Sequence, residues 1–364
     1  MISRNSLGNI YPIKKLGDVA DFLDSRRKPV KECDRIIGPY PYYGANGLQG
    51  WINDFLFDEN LILLAEDGGH FDNPDRGVAY KISGKTWVNN HAHVIKPKEG
   101  VDLDYLCRVL ENYDLTPWIT GTTRGKLTKG GASEILIPLP PLSEQRRIAS
   151  ILDQADELRQ KRQQAIEKLD QLLQATFIDM FGDPVSNPKG WDLVRVGEVV
   201  NEFIGGKNIE CPDESDSDYK ILKVSAVTSK VYKPHESKFA PNTFEPNPLA
   251  IVEKGDLLFS RANTTELVAA TAYVWETPEN IVLPDKLWKF SISDESKVNK
   301  LYLWDLFKNI EFRNELSKLS SGTSGSMKNI SKGKLNELKM PLPPKELQDK
   351  FAEFSTKLWV QIKT

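Results

Sequence analysis

The chain has 364 residues, 40% hydrophobic and 27% charged, with a formal net charge of -3. That length suits two domains of ordinary size plus a connector. The slight acidity excludes a uniformly basic nucleic-acid binder but leaves room for a basic face. Cys33, Cys107 and Cys211 are scattered, with neither metal-ligand spacing nor a disulfide framework, which fits a reducing cytoplasm. The first residues lack a signal-peptide core, and no stretch is apolar enough to span a membrane.

In chain order, the first element is a short strand in Tyr11-Pro-Ile-Lys-Lys-Leu-Gly-Asp-Val. A basic loop follows, Asp24-Ser-Arg-Arg-Lys-Pro. Arg26, Arg27 and Lys28 there suit phosphate contacts, and a solvated turn explains them as well. Pro39-Tyr-Pro-Tyr-Tyr-Gly-Ala-Asn-Gly offers Tyr43 and Asn46 as hydrogen-bonding groups, although turn chemistry alone accounts for its Gly and Pro. Leu61-Ile-Leu-Leu-Ala reads as a buried strand. His91-Ala-His-Val puts two imidazoles on one strand, but no further ligands are grouped nearby in sequence, so no metal is expected. Residues 104–112 form a helix with one apolar face. The loop Gly121-Thr-Thr-Arg-Gly-Lys is small, polar and basic. It offers Thr123, Arg124 and Lys126 to a phosphate or to guanine.

After Ile137-Pro-Leu-Pro-Pro a long helix is expected over 144–181, with Ser143 as N-cap and Gly182 as stop. At 1.5 Å per residue it would run roughly 55–60 Å. Ile148, Ile151, Leu158, Leu169 and Leu172 lie in a coiled-coil register, which demands a partner helix.

The chain then repeats itself. Trp191-Asp-Leu-Val-Arg-Val-Gly-Glu-Val matches the opening strand, and Asp256-Leu-Leu-Phe-Ser matches the buried one. Thr271-Ala-Tyr-Val parallels Val78-Ala-Tyr-Lys, 301–309 parallels 104–112, and Met340-Pro-Leu-Pro-Pro matches the proline cluster. The offset grows from 180 to 203, so the second copy carries insertions. Arg261 and Asn263 follow its buried strand and suit guanine and adenine respectively; an Asn-anchored turn with a surface arginine is the structural alternative. Lys286, Thr323, Ser324, Lys328 and Asn329 complete its polar candidates. The final helix, from Lys345, carries Phe351, Phe354 and Leu358 and is the natural antiparallel partner of the long helix, though about half as long.

Ile137-Pro-Leu-Pro-Pro-Leu-Ser-Glu-Gln-Arg-Arg-Ile-Ala, the long helix and Phe181-Gly-Asp-Pro resemble the specificity subunits of type I restriction–modification systems. Pro41-Tyr-Tyr-Gly-Ala-Asn-Gly, Gly255-Asp-Leu-Leu-Phe-Ser-Arg and the Gly-Thr loops at Gly121 and Gly322 add to the likeness. The resemblance implies an α+β architecture. Two similar α/β target-recognition domains, at 1–142 and 191–344, are separated by long antiparallel coiled-coil helices at 143–181 and 345–364, with a linker at 182–190. Each domain would read half of a split target in double-stranded DNA. The helices would dock two methylation subunits, a restriction subunit would join the full complex, and the chain would need no cofactor and perform no chemistry. Lys345-Glu-Leu-Gln departs from Leu142-Ser-Glu-Gln, and the final helix is short. The second dock could instead be completed by a second copy of the chain.

No phosphate-binding G-x-x-x-x-G-K-[ST] loop is present, so the chain is not a motor. The Pro-Pro pairs follow leucine and precede helices, unlike a methyltransferase motif. A coiled-coil scaffold with two protein- or peptide-binding domains fits the duplication equally well; the basic loops and the resemblance favour DNA.

Overall fold

The computed structural model describes residues 10–71, 77–121, 125–212, 215–322 and 327–363. Thr123, Arg124, Thr323 and Ser324 lie outside the described residues. The chain forms two compact units, Met1–Arg162 and Gln163–Thr364. No helix of the described residues is long and apolar enough to cross a membrane.

In the first unit a four-stranded antiparallel sheet runs in the order Ala20–Phe22, Ala92–Pro97, Leu61–Ala65, Ala79–Ile82. The Leu61–Ala65 strand is apolar throughout because both its faces are covered. Ile62 and Leu64 join Ile95 beneath the helix Leu103–Glu111, while Leu61 and Leu63 pack with Val94, Val88 and Phe57. A second sheet covers that other face. In it Tyr40–Gly44 pairs antiparallel with Gly47–Ile52 and parallel with Lys85–Val88.

The second unit repeats the arrangement. Its sheet order is Val200–Gly205, Leu287–Ile292, Leu257–Ser260, Thr271–Tyr273, again antiparallel. Leu257 and Phe259 face one core and Leu258 the other. Lys220–Leu222 pairs parallel with Ile281–Val282, as Tyr40–Gly44 does with Lys85–Val88. Asp102 caps the helix Leu103–Glu111 by accepting from the Tyr105 amide, and Asn299 caps Lys300–Lys308 by accepting from the Leu301 amide.

The long helix is Leu142–Phe181. Ser143 is not its N-cap. The Pro141 carbonyl already accepts from the Glu144 and Gln145 amides at 2.8 and 3.0 Å, which puts Ser143 inside the first turn. The helix ends before Gly182, whose φ of +79° favours a residue without a Cβ. Its buried row also differs from the heptad seam. Leu173, Phe177 and Phe181 are buried with Leu169 beside them, whereas Leu172 is 48% exposed, Ile151 49% and Leu158 69%. A helix lying on a globular core buries an i, i+4 row, and Phe177 and Phe181 extend that row. Ile148 packs at the edge of the first unit's core. The final helix, Lys345–Lys363, contributes Phe351 and Leu358, with Phe354 at the edge, to the core that holds Phe177 and Phe181.

One glutamine secures each helix start. Gln145 donates to the Gly100 and Pro140 carbonyls at 3.0 and 2.9 Å and accepts from the Asp102 amide at 2.8 Å. Gln348 donates to the Lys297 and Pro343 carbonyls at 3.1 and 2.7 Å and accepts from the Asn299 amide at 2.9 Å. Tyr105 and Tyr302 likewise donate to the Pro138 and Pro341 carbonyls. The glutamine of the shared proline motif is therefore a buried lock between sheet, helix and proline turn.

Candidate functional site

At one end of each main sheet the central strand runs out into polar residues, where a later short strand meets it. In the first unit the Leu127 amide donates to the Glu66 carbonyl at 2.7 Å, and Asp67 bridges to Lys126. In the second the Ile330 amide donates to the Arg261 carbonyl at 2.9 Å, and Ala262 pairs with Asn329. The amides of Glu66 and Arg261 in turn donate to the His91 and Lys286 carbonyls. The two tips therefore share one backbone scheme, in which Glu66 corresponds to Arg261, Lys126 to Asn329, His91 to Lys286 and His93 to Trp288.

The second tip brings together five residues that the sequence marks as candidates: Arg261, Asn263, Lys286, Lys328 and Asn329. Arg261 donates Nε to the Asp285 carbonyl at 2.6 Å, Nη1 to Asn329 Oδ1 at 3.0 Å, and pairs with the Asp285 carboxylate at 3.2 Å. Its guanidinium lies 5.7 Å from the centre of the Trp288 ring. Asn263, half-buried, accepts at Oδ1 from the Thr264 amide at 2.8 Å, as in the turn alternative. Lys328 donates to the Gly322 carbonyl at 3.0 Å, at the foot of the Gly-Thr loop.

The first tip is built on a buried polar cluster that sequence spacing does not reveal. His93 Nδ1 lies 2.7 Å from the Asp24 carboxylate, and Nε2 lies 2.9 Å from the Leu127 carbonyl oxygen. Arg27 pairs with Glu66 at 2.6 Å and Asp24 at 3.4 Å and donates to the Ala92 carbonyl at 2.7 Å. Burial pushes the Asp24 carboxyl upward. The hydrogen bond and charge of His93, the Val94 amide and the charge of Arg27 outweigh this and hold it below its usual value. Lys126 pairs with Glu66 at 3.3 Å from the outer side.

Two expectations change here. Arg27, with only 12% of its side chain exposed, is engaged inside the domain by Glu66, Asp24 and the Ala92 carbonyl. His93 does have potential ligands nearby: Asp24 and Glu66 bring their ligand atoms within 4.8 Å of it and of each other. These carboxylates arrive from distant parts of the sequence, and the Arg27 guanidinium already bridges both.

The remaining first-unit candidates are more dispersed. Arg26 pairs with Glu59 at 3.1 Å and Lys28 is exposed beside it. Tyr43 is half-buried against the Tyr80 ring, and exposed Asn46 donates to the Gly68 carbonyl at 3.0 Å, just past Asp67. Asn89 is buried, donates to Gln49 and accepts from the His91 amide, so the Asn-Asn-His run serves internal hydrogen bonding. Glu66 has no motif of its own, and only the repeat marks it: its place after the matched buried strand is the one held by Arg261 in the second copy.

A separate apolar cavity of about 610 Å3 lies within the second unit, between the end of the long helix and the final helix. Leu169, Leu173, Trp304, Leu358 and Trp359 line it.

The sequence profile described as the type I restriction modification DNA specificity domain matches residues 11–168 and 188–363. A protein of Haemophilus influenzae, provisionally named as a type I restriction enzyme specificity subunit, is 25% identical over 94% of this chain and 86% of its own. The type I restriction enzyme MjaVIII specificity subunit of Methanocaldococcus jannaschii is also 25% identical, over 94% of this chain and 84% of its own. A crystal structure of a type I restriction-modification system S subunit from M. genitalium covers 98% of this chain and 92% of that one. Its TM-score is 0.58 at 15% identity, which shows a shared fold.

Proposed function

Since the chain belongs to the type I restriction–modification DNA specificity family, we propose that its two domains each read one half of a bipartite target in double-stranded DNA. One observation carries the reading. The two tips keep the same backbone hydrogen bonds while exchanging Glu66, His91 and Lys126 for Arg261, Lys286 and Asn329. A scaffold held constant under a changed polar surface is what two readers of different base sequences need, because base edges are distinguished by donor and acceptor pattern.

In the second domain, 191–344, Arg261 and Asn263 are the base-reading groups, and Lys286, Lys328 and Asn329 border them. In the first, 1–142, Lys126 and Asn46 hold the equivalent tip, with Tyr43 as a further hydrogen-bonding group and Arg26 and Lys28 as phosphate contacts. The exposed apolar residues Ile151, Leu158 and Leu172 form the docking stripe for methylation subunits, of which the complex takes two. A restriction subunit completes the assembly. A second copy of the chain is the alternative occupant where the final helix leaves the long helix uncovered. Catalysis resides in those partners, and the assembly works in the cytoplasm.

Methylome sequencing of cells that express the chain with its methylation subunit tests this reading. A methylated sequence with two specified halves and a fixed gap is expected. A single continuous site, or methylation that ignores sequence, would refute it.

A further inference from the structure

The duplication separates residues that must differ between the tips from those that need not. Base-reading residues change when the half-sites change. Contacts to the sugar-phosphate backbone can stay the same, because a phosphate offers the same oxygens at every step. Positions 66, 91 and 126 differ from 261, 286 and 329, but two residues after 126 and 329 the copies agree: Thr128-Lys129-Gly130 and Ser331-Lys332-Gly333.

Structure as well as sequence is shared. Leu127 and Ile330 are buried and fix the preceding strand end. The Thr128 hydroxyl oxygen accepts from the Gly131 amide at 3.1 Å, and that of Ser331 from the Lys334 amide at 3.4 Å. The Lys129 ammonium lies 5.7 Å from the centre of the Phe22 ring, and the Lys332 ammonium 5.8 Å from that of Trp288. Both lysines are exposed, and among the described residues neither has a carboxylate partner, unlike Lys126. An aromatic face restrains a long side chain while leaving its charge available.

The glycines make a second, independent observation. Gly130 and Gly333 do not have positive φ. A Cβ at Gly333 would meet nothing within 4 Å, and one at Gly130 only the Thr128 hydroxyl oxygen at 4.0 Å. Glycine carries a backbone-entropy cost that other residues do not, and among the described residues the protein's own packing gives no reason for it at either place. A surface pressed close against the backbone from outside does give one.

We infer that Lys129 and Lys332, each with the glycine that follows it, are matched contacts to a DNA backbone phosphate, one in each domain. This rests on the DNA-reading function proposed above. The test uses the full chain assembled with its methylation subunits and a duplex carrying the mapped target. Binding is measured against salt concentration for the wild type and for Lys129→Ala, Lys332→Ala and Lys332→Arg. Each alanine variant should weaken target and unrelated duplex alike and lower the salt slope by about one, with the methylated sequence unchanged. Lys332→Arg should restore the slope. Melting temperatures that match the wild type identify the loss as one of contact, because a lysine held only for its ring contact would shift melting and leave the slope intact. Unchanged slopes, or altered preference at a base, would overturn the inference while the DNA-reading function stands. A wild-type assembly with no sequence-specific binding would remove both.

Discussion

The two tips differ most where they are built most alike. Beneath the first, His93 sits among Asp24, Glu66 and Arg27 in a charged, buried cluster. At the same place in the second, Trp288 stacks against Phe203 and Phe259 at 5.5 and 6.2 Å. The helices behind the sheets show a parallel exchange: Arg108 pairs with Glu111 in one, and Asp305 with Lys308 in the other. Strand register and the glutamine lock are therefore set by backbone and core, while the polar residues vary in sign and kind as long as each finds a partner. A duplicated domain can change its polar surface in this way without changing its fold.

The largest effect expected from this contrast is at Arg27. Arg27→Ala would leave two largely buried carboxylates, Asp24 and Glu66, without their shared cation and should destabilise the first unit by about 3–5 kcal/mol. The second unit has an aromatic stack there and should be unaffected, which hydrogen exchange in peptides of each unit would show. Equal losses in both units, or less than about 1 kcal/mol in the first, would break the comparison. The glutamine lock makes the converse prediction. Gln145→Ala and Gln348→Ala should each cost about 2–4 kcal/mol in their own unit, because each strands buried backbone groups. Clearly unequal costs would mean that the locks are alike in geometry only.

The smallest effect is a pH dependence confined to the second unit. Burial pushes Asp305 up to about 6 from 3.8, with Lys308 opposing, and its Oδ2 has no hydrogen bond among the described residues. The folded form thus holds this proton more tightly than the unfolded one, so the group's contribution is present below pH 4 and is lost as the pH rises to 6. Asp305→Asn should stabilise the second unit by about 1–3 kcal/mol at pH 7.5, with the gain fading by pH 4. Denaturant unfolding of both forms across that range measures it, and a gain that does not vary with pH would assign the effect to packing.

The repeat, the buried strands and the span of the long helix were legible because apolar periodicity and proline clusters are local signals. Gly182 marked the helix end for the same reason. The start is not legible at Ser143 because the Pro141 carbonyl, a backbone group with no sequence signature, takes the first bonds. The heptad pattern picked out Leu172, but the domain core selected Leu173 and Phe177, since a globular surface rewards a different row from a helical seam. The second tip was legible because Arg261, Asn263, Lys328 and Asn329 lie next to matched motifs. The cluster around His93 was not, because Asp24 and Glu66 reach it only through sheet pairing.

The most direct test of the central claim is methylome sequencing of cells carrying the Arg261→Ala chain beside cells carrying the wild type. A well-placed arginine–guanine pair contributes about 1–3 kcal/mol of discrimination. The prediction is therefore that one half of the target becomes relaxed or unmethylated at one position, while the other half and the gap stay as they were. Loss of specificity in both halves at once, or an unchanged target, would contradict it.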